Sequence, residues 1–262
     1  SLIVQNALAV SCNKTICANV VKAEKICADQ IIARTGCDAC RTITREDFCQ
    51  DGVLNKTFVI TEPGKYCLGE NIDFEPSSDF QPAIQILSDD VKLDLCCNTL
   101  RQANDVPDVY GVQIGEGFFY NNPDDVLKNI TVTNGTITEF KGTGVFCYNG
   151  SFDGGAGELP FESLTFTDLN ILECGSSPSF NFGSGIYLDS IASTPSFIVR
   201  PEDPVAFSGV IIQNCKVNRC LGTFAIAVYT FDNLVIEDTQ ANDISTEVSG
   251  LGLTLCYALT GR

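Results

Sequence analysis

The chain of 262 residues contains no histidine, no methionine and no tryptophan. Without histidine, the chain has no Ser-His-Asp or Cys-His catalytic group and no histidine ligand for a metal. Hydrolytic chemistry would therefore depend on carboxylates, which act on glycosides, or on a metal bound by carboxylates. The residue types indicate no cofactor and no metal site.

Basic residues are also scarce, with 16 Lys and Arg against 33 Asp and Glu and a formal net charge of -17. This charge disfavours nucleic acid, anionic membranes and polyanionic glycans as partners. No run of about 18 apolar residues is present, which predicts no membrane insertion. Because 44% of the residues are hydrophobic and only 19% are charged, the chain can bury a sizeable core.

Cysteine is abundant, and it divides the chain into two segments. Six of the 14 cysteines fall within the first 50 residues. That segment has six basic and five acidic side chains, so its net charge is +1 and the remainder carries -18. We therefore predict a Cys-rich stalk or assembly segment at 1–50 and a separate domain at 51–262.

The clustered cysteines favour a disulfide framework in an oxidising environment. Cys37 and Cys40 form a C-x-x-C that is also compatible with zinc, but no second C-x-x-C and no histidine complete such a site. Six cysteines can pair in fifteen ways, so the sequence leaves the connectivity open. The disulfide candidates are Cys12, Cys17, Cys27, Cys37, Cys40 and Cys49.

The chain also carries five N-x-S/T sequons, which predict a glycoprotein. Together with the cysteines, they favour a secreted, extracellular or virion-surface location. The glycosylation candidates are Asn13, Asn55, Asn129, Asn134 and Asn149.

The strongest signal is a repeat of ragged period. Ile130-x-Val132-x-Asn134-x-x-Ile137 sets a frame of alternating apolar residues followed by Asn or Asp, which tolerates a left-handed bend. The same frame begins at Leu93, Leu164, Val210 and Leu234. A second short strand recurs six times, beginning at Ala83, Gly111, Gly144, Gly185, Ala225 and Gly252.

Such short strands cannot bury an apolar face alone, whereas stacked coils bury all of them in one column. The repeat therefore predicts an all-β solenoid, and a β-sandwich is the main alternative. The chain resembles the right-handed parallel β-helix superfamily, the pectate-lyase-like group, over about residues 57–262. The resemblance rests on architecture and implies no catalytic motif.

Insertions follow the second strand at about 115–127, 148–160 and 189–206, and they predict a continuous loop surface along one edge. Aromatic and acidic side chains there suit neutral sugars or another protein, unless the loops fold back and cover the coil. The ligand-face candidates are Phe119, Tyr120, Asp124, Asp125, Tyr148 and Asp153.

The segment 16–33 has alanine every five residues, at 18, 23, 28 and 33. This period resembles the pentad stalks of viral and phage fibre proteins, and a short amphipathic helix is the alternative. Four pentads are too few to enclose a core, so other chains would supply the missing contacts.

Two functions remain open at this point. One is a non-catalytic structural protein of an extracellular or virion-surface assembly, such as a fibre or decoration. Its partners would be copies of itself or other assembly proteins, and neutral glycans are a further class of ligand. The other is a tailspike-like glycan hydrolase or lyase that uses carboxylates of the insertion loops. Asp89-Asp90 matches one catalytic pair of β-helix glycosidases, but its position before a buried strand favours a turn.

Overall fold

The computed structural model describes residues 10–12, 15–17, 40–116, 126–148, 161–175, 184–189, 207–220, 224–228 and 231–242. The first elements are β1 (Val10–Cys12), β2 (Thr15–Cys17), β3 (Arg41–Ile43) and the short helix α1 (Arg45–Phe48). The next strands are β4 (Phe58–Ile60), β5 (Gly64–Leu68), β6 (Ile72–Phe74), β7 (Pro82–Ile86), β8 (Val91–Asp94) and β9 (Thr99–Gln102). The middle strands are β10 (Tyr110–Ile114), β11 (Lys128–Thr138), β12 (Thr143–Tyr148), β13 (Phe161–Leu172) and β14 (Ser184–Asp189). The last are β15 (Phe207–Ser208), β16 (Ile211–Gln213), β17 (Lys216–Asn218), β18 (Phe224–Val228), β19 (Phe231–Asp232), β20 (Val235–Glu237) and β21 (Gln240–Asn242).

Apart from the antiparallel pair β1–β2, the described strands form two parallel sheets. A six-stranded sheet has the order β18-β14-β12-β10-β7-β4, and a thirteen-stranded sheet has the path β19-β15-β13-β11-β8-β5-β3 with the remaining strands paired beside it. The chain alternates between the two sheets, and neighbouring strands in each sheet lie one coil apart in sequence. This topology confirms the predicted all-β parallel β-helix and excludes the sandwich, whose strands are antiparallel.

The predicted frame coincides with the coil-to-coil register. Val132 pairs with Phe166, Phe166 with Ile212, and Ile212 with Ile236, and all but Ile236 are fully buried. A second inward column runs through Leu100, Ile137, Ile171, Val217 and Ala241. These two columns form the core, because each coil covers the apolar side chains of the one before it.

The coil that begins at Leu93 departs from the prediction by two residues. The frame aligns Leu93 with Ile130, but the structure pairs Leu93 with Val132 while Leu100 still pairs with Ile137. This coil therefore has two more residues at its bend, where Cys96 and Cys97 both have left-handed φ angles, of 51° and 60°. The frame is wrong there because the bend can lengthen without disturbing the strand that follows.

The bends themselves confirm the role predicted for Asn and Asp. Asn134, Asp168, Asn214 and Asp238 have φ angles from 48° to 62°, the left-handed region that Asn and Asp tolerate best after glycine. They recur in the four coils after the one that contains Cys96 and Cys97, because each of these coils must turn at the same place to keep its register.

Glycine is the second residue of three strands of the six-stranded sheet, β10, β12 and β14, because the coils approach closely there. A Cβ atom added to Gly111 would lie 2.5 Å from the carbonyl oxygen of Gly144, and one added to Gly144 would lie 2.8 Å from the carbonyl oxygen of Gly185. No side chain fits at this spacing.

The column begins before residue 50. Within the segment predicted as a stalk, β3 pairs in parallel with β5, and Phe48 of α1 is fully buried against Phe58 and Phe74, with ring centroids 6.1 and 6.3 Å away. Residues 41–48 therefore close the amino-terminal end of the solenoid. A four-residue helix and a three-residue strand carry too little periodicity to be recognised in the sequence.

Replacing Ile212 with Asp tests the inward column. Ile212 is 0% exposed, and a carboxylate there would have no partner, so we expect unfolding free energy to fall by at least about 3 kcal/mol. Ile211→Asp is the matched control, because Ile211 is the adjacent residue, is 37% exposed and should lose no more than about 0.5 kcal/mol. Urea denaturation measures both, and equal losses would show that the inward column is assigned incorrectly.

Candidate functional site

Three long connections leave the six-stranded sheet after β10, β12 and β14, the edge at which the sequence predicts the ligand face. Five of the predicted residues lie outside the described part of the chain, namely Phe119, Tyr120, Asp124, Asp125 and Asp153. The sixth, Tyr148, is the last residue of β12. Of the predicted ligand face, the described residues therefore include Tyr148 and the outer face of the six-stranded sheet beside it.

That outer face carries an aromatic column. Phe146 of β12 pairs in register with Tyr187 of β14, and their ring centroids are 6.2 Å apart with planes inclined by 10°. The ring of Tyr110 in β10 stacks on Phe146 at 4.4 Å, also at 10°. Parallel strands bring the equivalent residues Phe146 and Tyr187 together, whereas Tyr110 pairs with Thr143 and reaches Phe146 from outside the register.

The aromatic column is buried, although it lies outside the core between the sheets. Phe146 and Tyr187 are almost completely inaccessible, Tyr148 is 8% exposed, and Phe80 packs against the group. A ligand cannot reach the ring of Tyr148 without displacing part of the chain. At Tyr148 the structure therefore favours packing against the solenoid over an exposed ligand-binding role.

Two neutral amides and one carboxylate lie near the column. Gln85 and Gln113 both donate from Nε2 to the carbonyl oxygen of Gly115, each at 3.1 Å. Burial, with a smaller contribution from the nearby carboxylate of Asp108, raises the pKa of Tyr110 far above its usual value. Tyr110 therefore stays protonated at neutral pH.

The Asn and Asp side chains at the bends form a ladder along the solenoid. Asn134 donates from Nδ2 to Oδ1 of Asp94 at 3.0 Å, and Asn214 donates in the same way to Asp168. An amide therefore alternates with a carboxylate, which supplies a donor for each acceptor and keeps like charges apart. These contacts agree with the prediction that this column serves turn geometry.

Asp89 and Asp90 also occupy a turn, as predicted. Asp90 has a φ angle of 55° and accepts a hydrogen bond from Nδ2 of Asn129 at 2.8 Å. Asp89 accepts from the backbone N–H of Lys128, also at 2.8 Å. Both carboxylates thus tie one coil to the next.

Within the described residues, no group of three or more His, Cys, Asp or Glu side chains is placed to hold a metal ion. None of the described residues belongs to a helix that is long and apolar enough to span a membrane.

The disulfide found among the described residues joins Cys40, a predicted candidate, to Cys67. Cys67 was not among the candidates, because the prediction sought partners only within the first 50 residues. The β3–β5 pairing brings the two cysteines close, since Thr42 lies opposite Cys67, and Cys40, two residues before Thr42, has its Cα atom 5.9 Å from that of Cys67. Cys97 is also disulfide-bonded, whereas Cys49 is an exposed free thiol. The side chains of Cys12, Cys17, Cys27 and Cys37 lie outside the described part.

Cys174 and Cys220 are near neighbours in the interior, as the coil alignment predicts. Both are fully buried, and they occupy equivalent positions two residues beyond the paired Leu172 and Asn218. Burial raises the pKa of Cys174 well above its usual value, with a smaller contribution from Cys220, and burial raises the pKa of Cys220 to about 11. Both remain thiols at neutral pH.

Comparison with known proteins gave no match to any family model, to any curated protein or to any solved structure.

We expect Cys174 and Cys220 to be alkylated much more slowly than Cys49 in the folded protein. Iodoacetamide reacts with the thiolate, and both burial and the raised pKa values suppress that form. Site-resolved mass spectrometry over a time course gives the three rates, and labelling in denaturant should make them similar. Equal rates for Cys49 and Cys220 in the folded protein would contradict the buried column.

Proposed function

We propose that the protein is a non-catalytic structural glycoprotein of an extracellular or virion-surface assembly, in which a rigid solenoid is displayed by the Cys-rich amino-terminal segment. The observation that supports this proposal is the continuous register of the solenoid, in which the inward columns and the bends repeat from coil to coil. A body of this kind keeps a fixed surface over its length and needs no ligand to hold its shape.

The charge distribution gives the two segments different roles. The first 50 residues have a net charge of +1 and the rest of the chain carries -18. Repulsion between solenoids keeps the displayed bodies apart, whereas the nearly neutral segment associates without that cost. Cysteines in this segment would then lock the association within or between chains.

The fold refines which residues belong to the assembly element. Residues 41–48 close the solenoid through Phe48, and Cys40 is bonded to Cys67 of β5. We therefore assign the assembly role to residues 1–39. The partners we propose are further copies of this chain or other proteins of the same assembly.

Deleting residues 1–39 should leave a folded solenoid that no longer assembles. Light scattering should give the monomer mass for the truncated chain and a multiple of it for the intact chain, and reductant should lower the mass of the intact assembly. Circular dichroism and thermal unfolding check that the solenoid itself is retained. If the truncated chain keeps the native mass, the assembly role of residues 1–39 is wrong.

A longer deletion, of residues 1–50, is the matched control for the boundary. It removes Phe48 and the Cys40–Cys67 disulfide, so we expect a clear loss of solenoid stability that the shorter deletion does not cause.

Incubation of the intact chain with neutral polysaccharides, followed by assay of new reducing ends and of unsaturated sugars, tests the enzymatic alternative. Release of either product would overturn the non-catalytic proposal.

A further inference from the structure

Three of the five sequons lie in the described part of the chain, and the fold places them in different environments. Asn129 and Asn134 both belong to β11, whereas Asn55 precedes β4. An N-glycan requires that the modified side chain point into solvent once the protein has folded. The three sites can therefore be compared by what each asparagine side chain does in the solenoid.

Asn129 is exposed at a bend, immediately before the buried Ile130. Its φ angle is 58°, and its Nδ2 donates a hydrogen bond to Asp90, which is itself at the surface. On the other side, the equivalent residue of the next coil is the small and exposed Ser163. A substituted Nδ2 keeps one N–H, so the amide can carry a sugar and still donate a hydrogen bond.

Asn134 is half-buried, and its amide makes one hydrogen bond to the preceding coil. Nδ2 donates to Asp94 at 3.0 Å, whereas Oδ1 lies 3.1 Å from Sγ of the disulfide-bonded Cys97, which has no S–H to donate. The equivalent residue in the next coil is Asp168, which is larger than Ser163 and accepts a hydrogen bond from Asn214. A sugar on Nδ2 would leave one N–H for Asp94, but it would have to fit beside a half-buried side chain, where there is less room than at the exposed Asn129.

Asn55 is constrained by the turn that leads into β4. Its Oδ1 atom is buried, and its backbone carbonyl accepts a hydrogen bond from Nε2 of Gln81 at 2.6 Å. The sequon hydroxyl of Thr57 donates to the carbonyl oxygen of Pro82 at 2.7 Å, across to the next coil. Asn55 is half-buried and its Oδ1 atom is enclosed, so a sugar on the same amide has less room than at the exposed Asn129.

We propose that, of these three sequons, Asn129 is the one that carries an N-linked glycan, while Asn55 and Asn134 remain unmodified in the folded protein. The reaction joins Nδ2 of Asn129 to the anomeric carbon of an N-acetylglucosamine-initiated oligosaccharide. The bond between that carbon and the diphosphate of a lipid carrier breaks, and the amide loses one proton. This inference rests on the proposed function in one respect, since it requires passage through a glycosylating secretory compartment.

Transfer precedes folding, and the fold then decides which modified chains persist. A chain modified at Asn129 closes its coils without loss, because the sugar projects from an exposed bend. A chain modified at Asn134 has to place the sugar beside a half-buried side chain of the ladder, so we expect the solenoid to be destabilised at β11. The secreted pool is therefore depleted of such chains.

The test is site occupancy in the full chain secreted from a eukaryotic cell, with a carboxyl-terminal tag that contains an efficient sequon. Glycan release by peptide-N-glycosidase in heavy-oxygen water labels each occupied asparagine, and mass spectrometry reads the sites separately. We expect label at Asn129 in most molecules and at Asn55 and Asn134 in few or none. Asn13 and Asn149 are read in the same experiment but do not bear on the comparison.

Two variants test the assignment at Asn129, and a third is the control. Thr131→Val should lose the mass of one glycan with nearly unchanged thermal unfolding, because Thr131 is only half-buried and valine preserves the β-branched side chain. Asn129→Gln should lose the same mass, but it should also lower the unfolding temperature slightly, because the φ angle of 58° favours asparagine. Asn134→Gln should leave the glycan mass unchanged.

Two outcomes overturn the inference, namely an occupied tag with an empty Asn129, and a folded secreted chain modified at Asn134 or Asn55. Neither outcome depends on the oligomeric mass that tests the proposed function. An occupied Asn129 in a chain that stays monomeric would contradict only the assembly role.

Discussion

Parallel pairing between successive coils is the interaction on which the whole structure depends. Each described coil contributes three to six residues to the six-stranded sheet, and a single coil has one apolar side chain in each inward column. Such a coil can bury those side chains only against its neighbours, about 4.8 Å away. Stability and shape therefore follow from the register within each column, and the longer bend at Cys96 and Cys97 changes the alignment before it while the column after it is kept.

The residues outside the core are selected by the same constraint. Glycine is the second residue of β10, β12 and β14 because the next coil's carbonyl leaves no room for a Cβ atom. Asn and Asp alternate at the bends because like carboxylates stacked at this spacing would repel one another. On the outer face the same stacking brings Phe146 and Tyr187 together, whereas Tyr110, which pairs with Thr143, contacts Phe146 from outside the register.

The sequence predicts these features where a side-chain pattern repeats and fails where the backbone alone decides. The frame at Ile130, Leu164, Val210 and Leu234 was recognisable because burial imposes apolar residues at fixed intervals. The two additional residues near Cys97 and the closing contacts of Phe48 were not, since a bend can lengthen and a cap is formed only once. For the candidate site, the sequence predicted an exposed role for Tyr148, but the covering of an outer sheet face depends on chain packing that no local pattern encodes.

A distance measurement along the outward face tests the register most directly. Lys65 and Val235 are both exposed, and they are linked through Lys92, Thr131, Thr165 and Ile211 by five successive pairings. Genetically encoded spin labels at the two positions avoid the 14 cysteines and allow pulsed electron paramagnetic resonance. The solenoid predicts a single narrow distribution whose backbone component is about 24 Å, five coil spacings. A broad distribution, or a distance that implies two coils fewer or more, would contradict a continuous column.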